Sequence, residues 1–259
     1  LFRYPRTYAE LFRKGNECLD KLQLWFNANK LSLNVDKTCY VIFSPTMSDV
    51  DGTNSLSLNI FGKAVKKVTN CKYLGSVIDE KLNWKEHIDY VHKKRIKFTA
   101  LFYKLRQDVP SDCLKLMYNA LVFTHLLYGV KVYANTCRTH LNKIIVLNNK
   151  IIRIMLKKDI RTSVAQLYKS INSLTINDLH EMQLLIIIYK WLYYRDMLPA
   201  SYQNYFIVKN VIHSYNVRRI NDLFVPRCCS KLGQRYSVYR GNIFWNMLPD
   251  YLKVFTSLT

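Results

Sequence analysis

The sequence has few of the residues that make loose or cross-linked chains. Seven Gly and six Pro in 259 residues exclude a collagen-like or linker-like polymer. Its seven cysteines (Cys18, Cys39, Cys71, Cys113, Cys137, Cys228, Cys229) are odd in number, scattered and without a CxxC. That is neither a disulfide framework nor a zinc site. The expectation is reduced thiols in an intracellular protein, of nucleus or cytoplasm, each packed as a small buried hydrophobe. The longest apolar run, LLIIIY at 184–189, stops at Lys190 and is far too short to cross a bilayer, so no membrane is expected as partner. No charged-then-apolar leader opens the chain, and Leu1 in place of Met points to a fragment.

Acid is the scarcest chemistry. Against 39 Lys+Arg stand 18 Asp+Glu, a net charge of +21. Self-repulsion of that size is relieved by an anionic partner. Three stretches carry the excess: six basic residues between His87 and Arg106 against Asp89, six between Lys143 and Arg161 against Asp159, and seven between Lys209 and Arg240 against Asp222. All three are interleaved with Tyr, Phe or apolar residues, a pattern suited to a phosphate backbone with stacking platforms. The plainer reading is solvated helix faces. With 49% hydrophobic and 14% aromatic residues, the chain can build a core, as one large or two small domains.

Periodicity gives an α+β order. The first thirty residues read as a helix with Tyr8, Leu11, Phe12, Cys18, Leu19, Leu22, Trp25 and Phe26 at helical intervals, weakened by Gly15. Thr38–Phe43 reads as a strand, 44–55 as a polar loop, and SLNIFG with KKVTNCKYLGSVID as further strand pieces ending near Asp79. Helical spacing then runs over 84–106, 112–134, 140–156, 162–174 and 177–195, with cap signals at Ser111-Asp112 and Asn177-Asp178. Leu141, Ile144, Ile145, Asn148, Ile151, Ile152 and Met155 form one stripe that reads first as core. From Pro199 on, no period is visible and an irregular, aromatic-rich segment is expected.

Catalytic signatures are missing. There is no GxSxG, HExxH, Walker lysine loop or GxGxxG. Of the six histidines only His87 and His92 are close, and a spacing of five puts them on different helix faces. No Asp-Asp pair occurs, so the clustered carboxylates of two-metal phosphoryl transfer are not in evidence. No metal ligand set is expected in this chain, and its own chemistry is that of a binder.

Six segments in collinear order, LQLWFNANKLSLNVDKTCYVIF (22–43), KYLGSVIDEKLNWKEHIDYVHKK (72–94), MYNALVFTHLLYGVKVYANT (117–136), LNNKIIRIML (147–156), HSYNVR (213–218) and FWNMLPDYL (244–252), resemble the downstream part of reverse transcriptases from non-LTR, jockey-like retrotransposons. The resemblance implies a palm remnant with a primer-grip-like hairpin over 1–80, a mostly α-helical thumb and connection over 81–198, and the irregular aromatic, basic segment over 199–259. Leu1-Phe2 resembles the residues just after the family's YxDD. The catalytic aspartates, the other palm carboxylate and the fingers would then lie upstream, as partners of this segment. The resemblance therefore implies RNA-directed DNA polymerase activity with Mg²⁺ for an intact parent. It implies no cofactor in this chain and no templated synthesis by it alone.

Residue by residue, Lys37 in NVDKT matches the lysine of the family's post-catalytic motif, a proton donor beside the departing pyrophosphate. Its alternative is an exposed lysine before a strand. Tyr73, Leu74 and Gly75 match the primer grip, Gly75 giving close backbone approach and Tyr73 a buttress; the alternative is a plain hairpin with a buried Tyr. Trp84, His87 and the run Lys93, Lys94, Arg95, Lys97 match the start of the thumb. These basic residues, with Lys104, Arg106, Lys150, Arg153, Lys157 and Lys158, are the expected contacts to RNA and RNA/DNA duplex, while Trp84 reads as core. Trp245, Asn246, Leu248 and Pro249 match a WNxLP ending read as structural. Alternatives are a stand-alone nucleic-acid-binding protein, a decayed copy without selected function, and a basic helical scaffold for acidic proteins.

Overall fold

The computed structural model describes residues 7–43, 56–212 and 222–253. The HSYNVR segment, Leu1-Phe2, Arg218 and Arg219 lie outside them. The chain is α+β and divides into two compact units, Leu1–His87 and Ile88–Thr259. The helices that follow His87 and the segment after Pro199 thus belong to one unit.

In the first unit helix α1 (Tyr8–Ala28) starts at Thr7, whose hydroxyl accepts the Glu10 N–H, a regular N-cap. It lies against short strands: β1 (Cys39–Tyr40), β2 (Asn59–Ile60), β3 (Lys63–Ala64), β4 (Lys66–Lys67), β5 (Asn70–Tyr73) and β6 (Ser76–Asp79). They pair two by two, β1 with β4 in parallel, β2 with β3 and β5 with β6 antiparallel. Side chains of α1 complete the strand bonding. Asn16 donates to the Ser57 carbonyl at 3.1 Å and accepts the Asn59 N–H at 2.9 Å, and Gln23 accepts the Phe61 N–H at 2.9 Å. Phe12 packs edge-on to Tyr40, and Phe12, Ile60 and Val65 are buried. Gly15 permits this approach: a Cβ there would stand 2.8 Å from Cδ2 of Leu58. Two expectations change. The strand expected over 38–43 is regular only at Cys39–Tyr40, and α1 buries only Phe12 while Leu11, Leu22 and Trp25 face solvent.

The second unit holds α2 (Lys85–Leu105, which begins in the first unit), α3 (Ser111–Tyr118), a π-turn (Asn119–Phe123), α4 (Thr124–Leu127), α5 (Val130–Tyr133), α6 (Arg138–Met155), α7 (Val164–Ile171), α8 (Ile176–Tyr193), α9 (Lys209–Ile212), α10 (Ser237–Met247) and α11 (Asp250–Lys253). One core cluster joins Phe102, Leu114, Tyr118, Val122, Leu147, Ile151, Ile152, Met155, Leu167 and Tyr168, which makes the expected α6 stripe a core face. A second joins Ile188, Trp191, Phe206, Leu223 and Trp245.

The helix expected over 112–134 is broken. A π-turn interrupts it, and Gly129 at φ 71° ends it before α5 begins, a left-handed position that glycine takes without strain. The caps also shift: α3 begins after Pro110 with no side-chain cap, and Thr175 rather than Asn177 caps α8, accepting the Asp178 N–H and donating to its carboxylate. The segment after Pro199 is more ordered than its sequence suggests, because α10 packs on α8. Asn246 organises it by accepting the Leu223 N–H and donating to the Leu223 carbonyl, both at 2.8 Å. No described helix is long and apolar enough to cross a membrane.

Candidate nucleic-acid interface

Lys37 ends a 3-10 turn, Val35–Lys37, that Asn34 caps by accepting the Lys37 N–H at 3.1 Å. Its side chain is exposed, so the fold presents an ammonium beside β1 without anchoring it.

The LG turn is a two-residue hairpin loop between β5 and β6, with Tyr73 opposite Ser76. Leu74 and Gly75 sit at φ 44° and 81°, the two left-handed positions that such a tight loop demands. Glycine adopts this freely, whereas leucine is strained there. Tyr73 and Leu74 are 61% and 73% exposed. A buried tyrosine is therefore not what holds the hairpin, and its tip offers a ring and an aliphatic side chain outward. The other end of the hairpin is fixed from within. The Asp79 carboxylate accepts N–H groups from Lys81 and Asn83 at 3.1 Å and from Trp84 at 2.8 Å. The buried His87 accepts the Val77 N–H on Nδ1 at 3.2 Å. Burial holds this imidazole below its ordinary pKa, keeping it the neutral acceptor that the bond requires. These ties set the first turn of α2 against β6. Sequence reasoning had no role for Asp79, although an acid one turn before a helix start is a recognisable loop-capping signal.

Helix α2 separates its charges by face. At about 100° per residue, Lys93, Lys97 and Lys104 fall on one side, spread over about 16 Å of axis, and all three are exposed. Lys94 stands beside them with Nζ 4.6 Å from the Tyr90 ring centre, Lys97 Nζ is 5.4 Å from that of Phe98, and the Arg106 guanidinium lies 4.2 Å over Tyr103. Such contacts orient the cations at little cost. The acid of this stretch, Asp89, is engaged by Lys143 at 2.7 Å. The field reaches the next helix: the His125 imidazole is held low by burial first, then by Arg95, Lys94 and Lys97.

Arg95 does not belong to this surface, and the expectation that it contacts nucleic acid is corrected. It occupies the opposite face with Ile88, Val91 and Phe102, is 1% exposed and donates through Nη2 to the Val122 carbonyl at 3.1 Å. Its Nε and Nη1 have no hydrogen-bond partner among the described residues. Burial lowers its pKa to about 10, opposed by the nearby Tyr133, Tyr118 and Tyr168 hydroxyls. The signal was in the sequence: positions 88, 91, 95 and 102 are one apolar helical stripe with an arginine in it.

At the end of α6, Lys150, Lys157 and Lys158 are exposed. Arg153 is half-buried and donates to the Thr162 carbonyl at 3.1 Å, so it locks the following loop. Lys157, at φ 53°, and Lys158 close a Schellman turn, Lys158 N–H to Arg153 O at 2.9 Å and Lys157 N–H to Ile154 O at 3.2 Å. Cations there also meet the negative end of the helix dipole.

The cysteines are free thiols, but the expectation that each is buried is overturned, since all seven are exposed or half-exposed. Among the described residues, no three His, Cys, Asp or Glu side chains gather where they could hold a metal ion. Asp79 is not open to an ion, since its buried carboxylate spends its oxygens on backbone N–H groups.

No protein-family model matches the chain, and no solved structure does. It is 32% identical over 140 residues to the RNA-directed DNA polymerase from mobile element jockey of Drosophila funebris and 29% identical over 140 residues to that of Drosophila melanogaster. Each match covers 53% of this chain and 15% of the relative. The chain thus spans a small part of the length of the curated relatives it matches, and it is related to the reverse transcriptases of non-LTR retrotransposons.

Proposed function

We propose that this chain is the nucleic-acid-gripping portion of a retrotransposon RNA-directed DNA polymerase, binding RNA and RNA/DNA duplex, and that it does not by itself catalyse templated synthesis. The observation that carries the reading is the exposed face of α2. Lys93, Lys97 and Lys104 stand in line with Lys94 beside them, and Lys143 engages the acid of that stretch. Ammonium groups along one helix contact phosphates without reading bases, which suits an enzyme that copies any template. The hairpin tip at Tyr73, Leu74 and Gly75 supplies a primer-grip surface in the first unit. Lys37 supplies an ammonium for a polyphosphate leaving group, and Lys150, Lys157 and Lys158 extend the basic surface of the second unit. In this reading the carboxylates and Mg²⁺ of the reaction come from the rest of the polymerase.

Salt dependence tests it. With Lys93, Lys97 and Lys104 changed to Ala, affinity for an RNA/DNA duplex falls and the slope of log affinity against log salt flattens by about 0.9 per lost contact. An unchanged slope removes α2 from the interface. A primer-extension assay on the unmodified chain with Mg²⁺ or Mn²⁺ gives no product, and templated product would overturn the non-catalytic reading.

A further inference from the structure

Between Asp196 and Asp250 the sequence has one acid, Asp222. That carboxylate is buried and already held by Lys209 at 3.2 Å and Lys253 at 3.3 Å. Residues 223–249 carry Arg227, Lys231, Arg235 and Arg240 with no Asp or Glu, and among the described residues none of these four is ion-paired. Surface cations usually sit among acids, so four without one leave a local positive field that an anion would neutralise.

Two of the four are held close together. Arg235 ends the 3-10 turn Gly233–Arg235, Tyr236 follows as the cap of α10, and Arg240 lies one turn on, its N–H bonded to the Tyr236 carbonyl at 3.0 Å. Tyr236, the cap residue, and Arg240 thus lie one turn apart at the start of α10. Both arginines are half-buried. The Arg240 guanidinium is held below its ordinary pKa by burial first and then by Arg235, so the fold keeps two like charges within each other's field. Beside them is a ledge of rings. Tyr236 is 54% exposed and Tyr205 37%. The segments that carry these rings meet in one core cluster, where Tyr202, Phe206 and Val238 pack together, and the Tyr205 phenol is raised by burial first and then by Tyr202 and Tyr236. Tyr205 is braced from behind, 5.0 Å from Tyr202 and edge-on at 5.0 Å to Phe206, whose own ring is buried against Trp191. The rings are thus anchored in the core and offered at the surface, a platform organised before any ligand arrives.

We propose that this ledge is a second nucleic-acid site, taking single-stranded nucleic acid with unpaired bases stacked on Tyr205 and Tyr236 and phosphates on Arg235 and Arg240. Duplex does not suit it, because paired bases have no free faces to stack. An acidic polypeptide would meet the arginines but leave the rings unused. The site shares no residue with the α2 surface, so the two stand or fall separately.

The test compares 12-nucleotide oligouridylate with a 12-base-pair RNA/DNA duplex on the full chain. Tyr236→Ala with Tyr205→Ala weakens oligouridylate binding by about 10-fold or more, the range of lost base stacking, and leaves duplex binding within about twofold. Tyr236→Phe retains affinity, because the ring and not the hydroxyl does the stacking. Lys93→Ala with Lys97→Ala shows the reverse selectivity. Photocrosslinking of 5-iodouridine oligonucleotide to the unmodified chain maps to Tyr205 or Tyr236, which keeps the test decisive if the alanine variants misfold. Equal oligouridylate affinity in the folded double variant, crosslinks elsewhere only, or competition by polyglutamate with no sensitivity to the tyrosine changes would overturn the site. Failure to bind oligouridylate at all would do the same.

Discussion

The guanidinium of Arg95 crosses from α2 to the π-turn and donates from Nη2 to the carbonyl oxygen of Val122 at 3.1 Å. Three tyrosines, Tyr118, Tyr133 and Tyr168, are near enough to stabilise its charge. Tyr118 and Tyr168 are themselves tied through Asn148 and Asn149, and Tyr133 donates to the Leu126 carbonyl at 2.6 Å. The core of the helical unit is therefore built around a cation without a carboxylate.

That arrangement separates two substitutions. Arg95→Met fills the space and removes a poorly compensated charge, so stability stays within about 1 kcal/mol of wild type or rises. Both changes remove the donor to the Val122 carbonyl, but Arg95→Ala also leaves a cavity and costs about 2–4 kcal/mol. Urea unfolding of both variants measures the difference. Duplex affinity is unchanged in Arg95→Met, since the side chain does not reach the surface.

His180 makes stability depend on pH. It is buried in α8, and burial, followed by the charge of Arg240, lowers its pKa to about 4. The unfolded chain binds this proton near pH 6.5. The folded state therefore keeps its full stability above about pH 6.5 and loses it as pH falls toward 4, by about 1.4 kcal/mol per pH unit over that window. Thermal unfolding across pH 7 to 4, with His180→Gln as the flattened control, checks the sign and the window.

The hairpin turn holds a leucine where asparagine is preferred. Leu74→Asn relaxes the residue at φ 44° and stabilises the first unit by about 0.5–1 kcal/mol. Gly75→Val destabilises it, because φ 81° is closed to a β-branched side chain. Melting temperatures of the two variants move in opposite directions.

Asn246 bonds both backbone groups of Leu223, so Asn246→Ala leaves an unpaired N–H and carbonyl and costs about 2–3 kcal/mol. Asn246→Asp keeps the acceptor but loses the donor and is destabilised as well. Hydrogen exchange of the Leu223 amide reads out both.

The long helix α6 was legible because it carries a strong periodic pattern, and its stripe of Leu141, Ile144, Ile151 and Ile152 is core as its spacing indicates, whereas α8 is apolar nearly all round and has almost no one-sided pattern. Two helical errors share a cause. A run such as 112–134 keeps helical composition through a π-turn and a left-handed glycine, so periodicity alone does not show the break. Arg95 reads as surface by residue type, while its position in the stripe places it inside. The apolar side chains of α1 read as a buried face, yet Leu24 and Trp25 remain 69% and 53% exposed; composition reports a capacity for burial, not the neighbour that uses it. The order at 222–253 was least legible, since it rests on side-chain amides, Asn242 to the Phe224 carbonyl and Asn246 to Leu223, which leave no repeat in a sequence. Of the candidate interface, the lysines of α2 and the LG turn could be located from residues, but the Tyr205–Tyr236 ledge needed the tertiary structure to join residues thirty positions apart.

The π-turn at Asn119–Phe123 acts as a phase shifter. It inserts a single extra residue between Tyr118 and Leu126, both of which point inward. Wound as a plain α-helix with every residue kept, the segment after the turn would be rotated by about 80–100° and Leu126 would swing toward water, whereas excising Ala120 would leave Tyr118 and Leu126 seven apart on one face.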